Sequence, residues 1–198
     1  MKVNNYPVKT LESSDKLFGS NSSGDQVQFY GSDFNVPQYT YQIGEYVESE
    51  GGVIFHQYID NGTQYYLVVD TTDLTPTEFS LAANCPNVNS SWDGLTNSGT
   101  ILQSEAVDEC LNSTNNSKTD WYLPAIDELN LLYNNRYNVA QGLNVALGNQ
   151  LLYAKYHSST VFSYCSVLAF SFLDGSIDST VILDSDVFNV RAVRKFNI

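Results

Sequence analysis

The order of strand-like and helix-like segments along the chain limits the folds open to it. Apolar runs with strand character come first, from Gly51 to Asp70, and helical periodicity follows from Ser98 to Leu147. Strand-like runs then return from Val161 to Phe196. The sequence contains neither a β-α-β alternation nor an internal repeat, so this order predicts an α+β domain with a mainly antiparallel sheet.

Local turn signals separate the strand-like segments. Asn61-Gly62 lies between two apolar runs and predicts a tight type I′ hairpin turn. Asp174-Gly175 predicts a second turn, between strands over Val161–Leu173 and Ser176–Leu183. The last predicted strand runs over Val187–Phe196.

Three helical segments are predicted between these groups of strands. Pro124 fits the first turn of a helix from Ala125 to about Asn135, and a further helix is predicted over Asn138–Leu147. The first helix would be capped by Ser98. Its apolar face recurs every four residues, at Leu102, Ala106 and Cys110.

The first 34 residues differ from the rest of the chain. Two short strand-like pieces, Asp15–Ser20 and Gln26–Tyr30, surround a polar turn and predict a β-hairpin. A lone hairpin is at best marginally stable in water, so we expect its apolar side chains to be buried against a partner. We therefore interpret residues 1–34 as an attachment or oligomerisation arm, 35–41 as a linker and 42–198 as the main domain. The expected anchor residues of the arm are Leu17, Phe18, Val27, Phe29 and Tyr30.

The charge distribution excludes some partners. The chain has 9 Lys+Arg against 22 Asp+Glu, and no Lys or Arg occurs from Leu17 to Ser117. Nucleic-acid binding depends largely on cationic side chains, so we expect no nucleic-acid partner. The sequence also lacks an apolar run long enough to span a membrane and an N-terminal export signal, so neither a membrane protein nor an exported one is predicted.

No motif predicts catalysis, a cofactor or a metal site. The three cysteines, Cys85, Cys110 and Cys165, are expected to be free thiols in a protein made in a reducing cytoplasm. Hydrolase, metalloprotease and nucleotide-binding motifs are missing from the sequence, and the chain is predicted not to be an enzyme. Four carboxylates lie close together near the C-terminus and are interpreted as a solvated hairpin face rather than a cation site: Asp174, Asp178, Asp184 and Asp186.

The long polar segment from Thr71 to Gly99 contains the candidate ligand-binding residues. A loop of this length in a compact domain is usually functional. Trp92 and its polar neighbours are the expected contacts, with Trp92 as either a ligand contact or the anchor of its own loop. The candidate ligand-binding residues are Trp92, Asn89, Asp93 and Asn97.

Four segments, in this order, carry a resemblance to a known family: Ile43–Glu45 with Gly51–Phe55, Asp120–Tyr133, Tyr156–Thr160 and Val190–Phe196. Together they resemble the C-terminal domain of collagen-like bacterial adhesins, which also occurs in phage virion proteins and is similar in fold to C-type lectins. The resemblance implies a C-type-lectin-like domain. The residues that it marks as hallmarks of the fold are Gly52, Trp121, Leu123, Pro124, Glu128, Arg191 and Arg194.

In a C-type-lectin-like fold the first and last strands pair, which implies that Gly51–Tyr58 lies beside Val187–Phe196. Arg191 and Arg194 would then lie near a carboxylate such as Glu128 or Asp127. His157 stands where the family usually has Trp, and is interpreted as a core or rim position. The triplets with which sugar-binding C-type lectins hold calcium are missing from this sequence, which argues against calcium-dependent sugar recognition.

Residues 1–34 resemble the short virion-attachment segments that begin many phage fibre proteins. The resemblances together imply a phage virion structural protein, a head or tail fibre or head decoration protein made in the host cytoplasm. It would be held among other virion proteins by its arm, as a homotrimer, and would display a lectin-like domain for attachment to the host surface or its glycans. The alternative is a bacterial surface adhesin domain that binds glycans or matrix polymers.

Overall fold

The computed structural model divides the chain into two compact units, residues 1–38 and Tyr39–Ile198. In the first unit, strands β1 (Lys16–Ser20) and β2 (Gln26–Tyr30) pair antiparallel, as the sequence predicts. The side chains of the five expected anchor residues lie outside the described part of the chain. The structure describes residues 16–20, 26–30, 39–79, 88–101, 103–163, 166–181 and 186–198.

The described part of the second unit contains two sheets and four α-helices, which confirms the prediction of an α+β domain. The first sheet is antiparallel, with strand order β11-β5-β4-β3. Asn61 and Gly62 close its central hairpin with φ angles of 48° and 83°, as the predicted type I′ turn requires. The strands of this sheet are β3 (Tyr46–Val47), β4 (Gly52–Asp60), β5 (Thr63–Asp70) and β11 (Val193–Asn197).

The second sheet has five strands in the order β6-β10-β7-β8-β9. Neighbouring strands are antiparallel except β10 and β7, which are parallel. The turn predicted at Asp174-Gly175 is confirmed, and Gly175 has a φ of 80°. The strands are β6 (Leu74–Glu78), β7 (Lys155–Ser163), β8 (Ser166–Ser171), β9 (Ile177–Val181) and β10 (Val187–Val190).

Two of the strands predicted from the sequence are each divided into two strands in the structure, so these two predictions are wrong. The run over Val161–Leu173 belongs to two antiparallel strands, β7 and β8. The sequence prediction joins them because both are rich in apolar residues and their periodicity does not mark where one strand ends. The run over Val187–Phe196 is divided at Arg191-Ala192, where the chain leaves the second sheet and enters the first. β11 pairs with β5 and not with β4, so the implied contact between Gly51–Tyr58 and the last strand is also wrong.

The four helices are α1 (Gly94–Thr100), α2 (Glu105–Leu111), α3 (Ile126–Asn134) and α4 (Arg136–Val145). The last two lie close to their predicted bounds. The helix predicted to start at Ser98 is wrong: Ser98 lies inside α1, and its buried hydroxyl bonds to the backbone of Leu123. Ala106 and Cys110 form the buried face of α2, as predicted, whereas Leu102 lies outside the described residues. None of the described helices is long and apolar enough to cross a membrane.

The central part of the first sheet is buried on both faces. Val53 and Phe55 contribute to a core with α3 and α4, while Ile54, between them, contributes to a second core that contains Trp121 and α2. Gly52 is required in β4 because a Cβ there would lie 2.5 Å from the carbonyl oxygen of Val69. Tyr39 and Tyr41, which the sequence places in the linker, pack edge-on against Tyr66 in this unit.

The two C-terminal arginines are buried, but the expected carboxylate partners are wrong. Arg191 Nε bonds to Asp73, and its other nitrogens bond to the carbonyls of Asp70 and Asn149 at 2.8 and 3.0 Å. These groups converge where the chain crosses between the two sheets. Arg194 forms a bidentate pair with Asp120 and also bonds to Glu50. Two parallel N–H···O bonds to one carboxylate are the strongest pairing geometry of a guanidinium. These contacts are 2.6 and 2.8 Å to Asp120 and 2.9 Å to the Glu50 carboxylate.

Candidate functional site

A surface pocket of about 370 Å³ lies between α1, α3 and the first sheet. We call it the Trp92 pocket. Aromatic side chains, carboxylates and one ammonium group line it. The described lining residues are His56, Tyr58, Leu67, Trp92, Asp93, Leu95, Thr96, Tyr122, Asp127, Glu128, Leu131 and Lys195.

The register of the first sheet brings one side of this pocket together. His56 lies opposite Leu67 across β4 and β5, and Leu67 lies opposite Lys195 across β5 and β11. These three residues therefore form one row across three strands, and all three line the pocket. The row exists only because β5 separates β4 from β11.

The loop that carries Trp92 is held by hydrogen bonds to its backbone. The carbonyl of Ser90 accepts from the buried Asn97 amide at 2.7 Å and from the Thr160 hydroxyl at 2.9 Å. The carbonyl of Ser91 accepts from the backbone N–H of Asp127 at 2.7 Å. The Trp92 side chain takes no part in these bonds and is 73% exposed. The sequence left two roles open for Trp92, ligand contact or anchor of its own loop. In the structure its side chain lies at the pocket rim, and the hydrogen bonds of Ser90 and Ser91 anchor the loop.

Asp93 caps α1 and forms the polar edge next to Trp92. Its carboxylate accepts from the Thr96 backbone N–H at 3.0 Å and from the Thr96 hydroxyl at 2.7 Å. These bonds fix the carboxylate at the pocket edge while leaving it half-buried. Asp127, one residue into α3, is exposed at the same opening.

Glu128 forms the floor of the pocket and is buried. Tyr122 donates its hydroxyl to Oε1 at 2.8 Å, and the Ala125 N–H donates to Oε2 at 2.7 Å. The backbone N–H of Gly94 also donates to this carboxylate. Burial outweighs these bonds and, with the nearby Asp93 charge, raises the pKa of Glu128 to about 7. Both oxygens are occupied, so Glu128 fixes the geometry of the floor.

A stack of rings continues from the pocket along β4 and β5. His56 stacks on Tyr58 with 5.9 Å between ring centroids, and Tyr58 stacks on Tyr65 at 5.1 Å. The Lys195 ammonium lies 5.4 Å from the Tyr58 ring centroid and 4.8 Å from that of Tyr65. A hydrogen bond with Tyr58 raises the pKa of Lys195, whereas burial lowers the pKa of His56, so at neutral pH Lys195 is charged and His56 is not.

This arrangement suits a ligand that has both apolar ring faces and hydroxyl groups. Trp92 and Tyr58 offer flat apolar surfaces, Asp93 and Asp127 offer acceptors, and Lys195 offers a donor. Binding sites for small polar ligands combine these elements in the same way: an apolar wall with a few fixed polar groups.

The sequence-predicted ligand residues have different positions. Trp92 and Asp93 line the pocket, whereas Asn97 is buried behind it as a support for the loop. Asn89 is exposed and is not among the described lining residues. Sequence reasoning missed His56, Tyr58, Tyr122 and Lys195. The spacing of His56 and Tyr58 in the sequence places both on one face of a strand. Lys195 could be assigned to the same site only once the strand order was known.

His157 and the carboxylates near the C-terminus were the other candidates from the sequence. His157 is buried between Phe79 and Phe188, and its Nε2 bonds to the Thr77 carbonyl, which confirms a core position. Asp178 pairs with Lys155 at 3.0 Å, and Asp174 accepts hydrogen bonds from Ser176, whereas Asp184 lies outside the described residues. Asp186 is exposed. Among the described side chains there is no group of three or more potential metal ligands.

The fold hallmarks before α3 support the pocket from behind. Trp121 is buried and donates its indole N–H to the Asn115 carbonyl at 3.0 Å. Leu123 bonds through its backbone to Ser98, and the Pro124 carbonyl accepts from the Ser159 N–H at 2.8 Å. Pro124 lies one position before the N-cap residue Ala125 and not in the first helical turn. Cys110 is buried, and burial raises the pKa of its thiol; Cys85 and Cys165 lie outside the described residues.

A comparison of the chain with protein-family models finds no match, and neither does a comparison with curated proteins.

Proposed function

We propose that this protein is a phage virion structural protein that displays a glycan-binding domain, with the Trp92 pocket as the binding site. The observation that carries the proposal is the exposed indole of Trp92 at the rim of a pocket with polar groups at its edge. The resemblance of four segments to lectin-like virion domains supports the same conclusion.

The exposure of Trp92 is informative because of where the ring lies: it lines a pocket, next to polar groups. An aromatic ring at a concave site offers a large apolar contact surface to a ligand. The loop around it is tied down by the backbone bonds of Ser90 and Ser91. The indole is therefore presented on a fixed base, which lowers the entropy lost on binding.

The polar groups of the pocket complement a sugar ring. Sugar hydroxyls can donate to Asp93 and Asp127 and accept from Lys195, while the C–H face of the ring packs on Trp92. None of these contacts needs calcium. This agrees with the lack of the calcium-binding triplets in the sequence.

The N-terminal unit supports a virion location. The described part of this unit is one pair of antiparallel strands, and two strands alone are at best marginally stable in water. A partner that covers its apolar side chains would stabilise it, and neighbouring virion proteins or two further copies of this chain would supply such a surface. The role of the arm is thus attachment, and that of the Tyr39–Ile198 unit is recognition.

Trp92→Ala tests the recognition part. We expect the variant to keep its melting temperature, because the side chain is exposed, and to lose about tenfold or more in affinity for host-surface glycans on an array. Phe162→Ala is the matched control, since Phe162 is 69% exposed and lies outside the described lining of the pocket. A Trp92→Ala variant that binds the same glycans with unchanged affinity would contradict the proposal.

A further inference from the structure

A second pocket, of about 240 Å³, lies between the start of α4 and the segment that leads into β7. We call it the Arg136 pocket. Among described residues it shares no lining residue with the Trp92 pocket. The lining residues that matter here are Arg136, Tyr137, Leu152, Tyr153 and Phe172.

Arg136 carries a charge that no carboxylate neutralises among the described residues. The other two arginines, Arg191 and Arg194, both form ion pairs. The Arg136 guanidinium instead lies 3.9 Å from the Tyr133 ring centroid and 4.6 Å from that of Tyr137. Its Nη1 donates to the Tyr133 carbonyl at 2.7 Å, and its Nη2 donates to the Tyr137 hydroxyl at 3.5 Å. The tyrosine rings and these two bonds hold the group in place, and a guanidinium has five N–H donors, so others remain for a ligand.

The sequence around this pocket lacks acidic residues. No Asp or Glu occurs between Glu128 and Asp174, although the whole chain has 22 of them and a formal net charge of -13. Among the described lining residues Arg136 is the charged one, so a charged ligand in this pocket would contact its guanidinium.

The walls of the pocket are exposed rings. Tyr137 is 70% exposed and Tyr153 is 75% exposed, and both line the cavity beside Arg136. A volume of about 240 Å³ suits one ring-sized group better than an extended chain. The ligand that fits is thus a single ring that carries an anion.

We propose that the Arg136 pocket binds a sugar ring that bears a carboxylate, such as a uronic acid residue. The planar guanidinium offers paired N–H donors that match a carboxylate, and the tyrosine rings pack against the sugar. This site is separate from the glycan site proposed above and does not depend on it.

The test uses the full-length protein and two matched probes, methyl β-D-glucuronide and methyl β-D-glucoside, which differ only in the carboxylate. In an NMR titration we expect the glucuronide to shift the backbone amide of Arg136 and the ring signals of Tyr137 and Tyr153. The glucoside should cause no such shifts at the same concentration. Arg136→Gln should weaken glucuronide binding about tenfold or more. Lys155→Gln removes one positive charge outside the described lining of the pocket and should bind as the parent protein does.

Several outcomes would overturn this assignment. Equal affinity for the two probes would show that the carboxylate is not recognised. Undiminished glucuronide binding by Arg136→Gln would show that the guanidinium is not required. Tighter binding of a triglutamate peptide than of the glucuronide would show that the pocket prefers an acidic peptide to a sugar, and would contradict the proposal. Loss of glucuronide binding in Trp92→Ala would place the ligand in the other pocket. If Arg136→Gln fails to fold, the comparison of glucuronide and glucoside binding to the parent protein still tests the proposal.

Discussion

Glu128 and His157 are both buried, and burial shifts their pKa values in opposite directions. Glu128 rises from 4.5 to about 7, and His157 falls from 6.5 to about 4, so each favours its neutral form in the folded protein. Nδ1 of His157 is buried without a described hydrogen-bond partner, so a proton there would create an unpaired buried cation. The two groups therefore make opposite contributions to the pH dependence of stability.

For Glu128, the folded state holds the proton more tightly than the unfolded state does. Its stabilising contribution is therefore fully present below about pH 4.5 and is lost as the pH rises to about 7, by about 3 kcal/mol for a shift of this size. Glu128→Gln removes this titration, and its amide can donate to Tyr122 in place of the present bond. Urea unfolding at pH 5 and pH 7 should show a free energy of unfolding that rises more with pH in the variant than in the parent. An identical pH dependence in both proteins would refute the raised pKa.

For His157, the unfolded state holds the proton more tightly. Its contribution to stability is present above about pH 6.5 and is lost as the pH falls to about 4, again by about 3 kcal/mol. His157→Phe keeps the ring between Phe79 and Phe188 but removes the titration, at the cost of one bond to the Thr77 carbonyl. As the pH rises from 4.5 to 6.5, the parent gains the His157 contribution and the variant does not. We therefore expect the free energy of unfolding of the variant, minus that of the parent, to decrease over this range. A variant that parallels the parent across this range would contradict a buried neutral His157.

At the scale of elements, the close contact of α1 with the segment before α3 builds the floor of the Trp92 pocket. Gly94, the first residue of α1, lies against Glu128, and a Cβ at this position would clash with Oε2. The same Cβ would lie 2.6 Å from the Ala125 nitrogen and 2.7 Å from the Leu123 oxygen. Backbone atoms cannot move aside as a flexible side chain can, so only glycine allows this approach.

Gly94→Ala should accordingly destabilise the domain by about 1 to 3 kcal/mol through overpacking. Gly99→Ala is a control in the same helix, because no atom lies within 4 Å of a Cβ at that position. The second change should increase stability by about 0.5 to 1 kcal/mol through helix propensity. Urea denaturation of both variants measures the difference. Equal effects of the two substitutions would show that the close packing at Gly94 is not required.

Elements set by neighbouring residues could be predicted, and those set by distant contacts could not. Asn61-Gly62 fixes its turn locally, and Pro124 with the apolar stripe of α3 places that helix almost correctly. The break at Arg191-Ala192 could not be predicted from the sequence, because the partners of Arg191 lie about 40 or more residues away, at Asp73, Asp70 and Asn149. The row of His56, Leu67 and Lys195 depends on strand order in the same way. Of the pocket residues, only Trp92 and Asp93 could therefore be identified from the sequence as ligand contacts.

At the scale of the whole molecule, the two units have separate proposed roles. The Tyr39–Ile198 unit has its own buried cores and both pockets, whereas residues 1–38 contribute a single pair of strands to the described chain. If the arm attaches the protein to the particle, the two roles can be separated by mutation.

Deletion of residues 1–34 should leave a folded monomer that is absent from purified phage particles, since the arm supplies the expected oligomer contacts. Size-exclusion chromatography with light scattering and immunoblotting of particles provide the readout. Full-length Trp92→Ala is the control, because it should enter particles normally and yet reduce their adsorption to cells. A truncated protein that still assembles into particles would contradict the attachment role of the arm.

The most direct test of the Trp92 pocket uses the two tryptophans of the chain as probe and internal control. Trp92 is exposed at the pocket rim, and Trp121 is buried with its indole N–H bonded to Asn115. In a ¹⁵N-correlated NMR titration with oligosaccharides released from the host surface, we predict that the indole signal of Trp92 shifts with saturation while that of Trp121 stays in place. A titration in which some oligosaccharide binds but the Trp92 signal does not move, or in which none binds at all, would contradict the account.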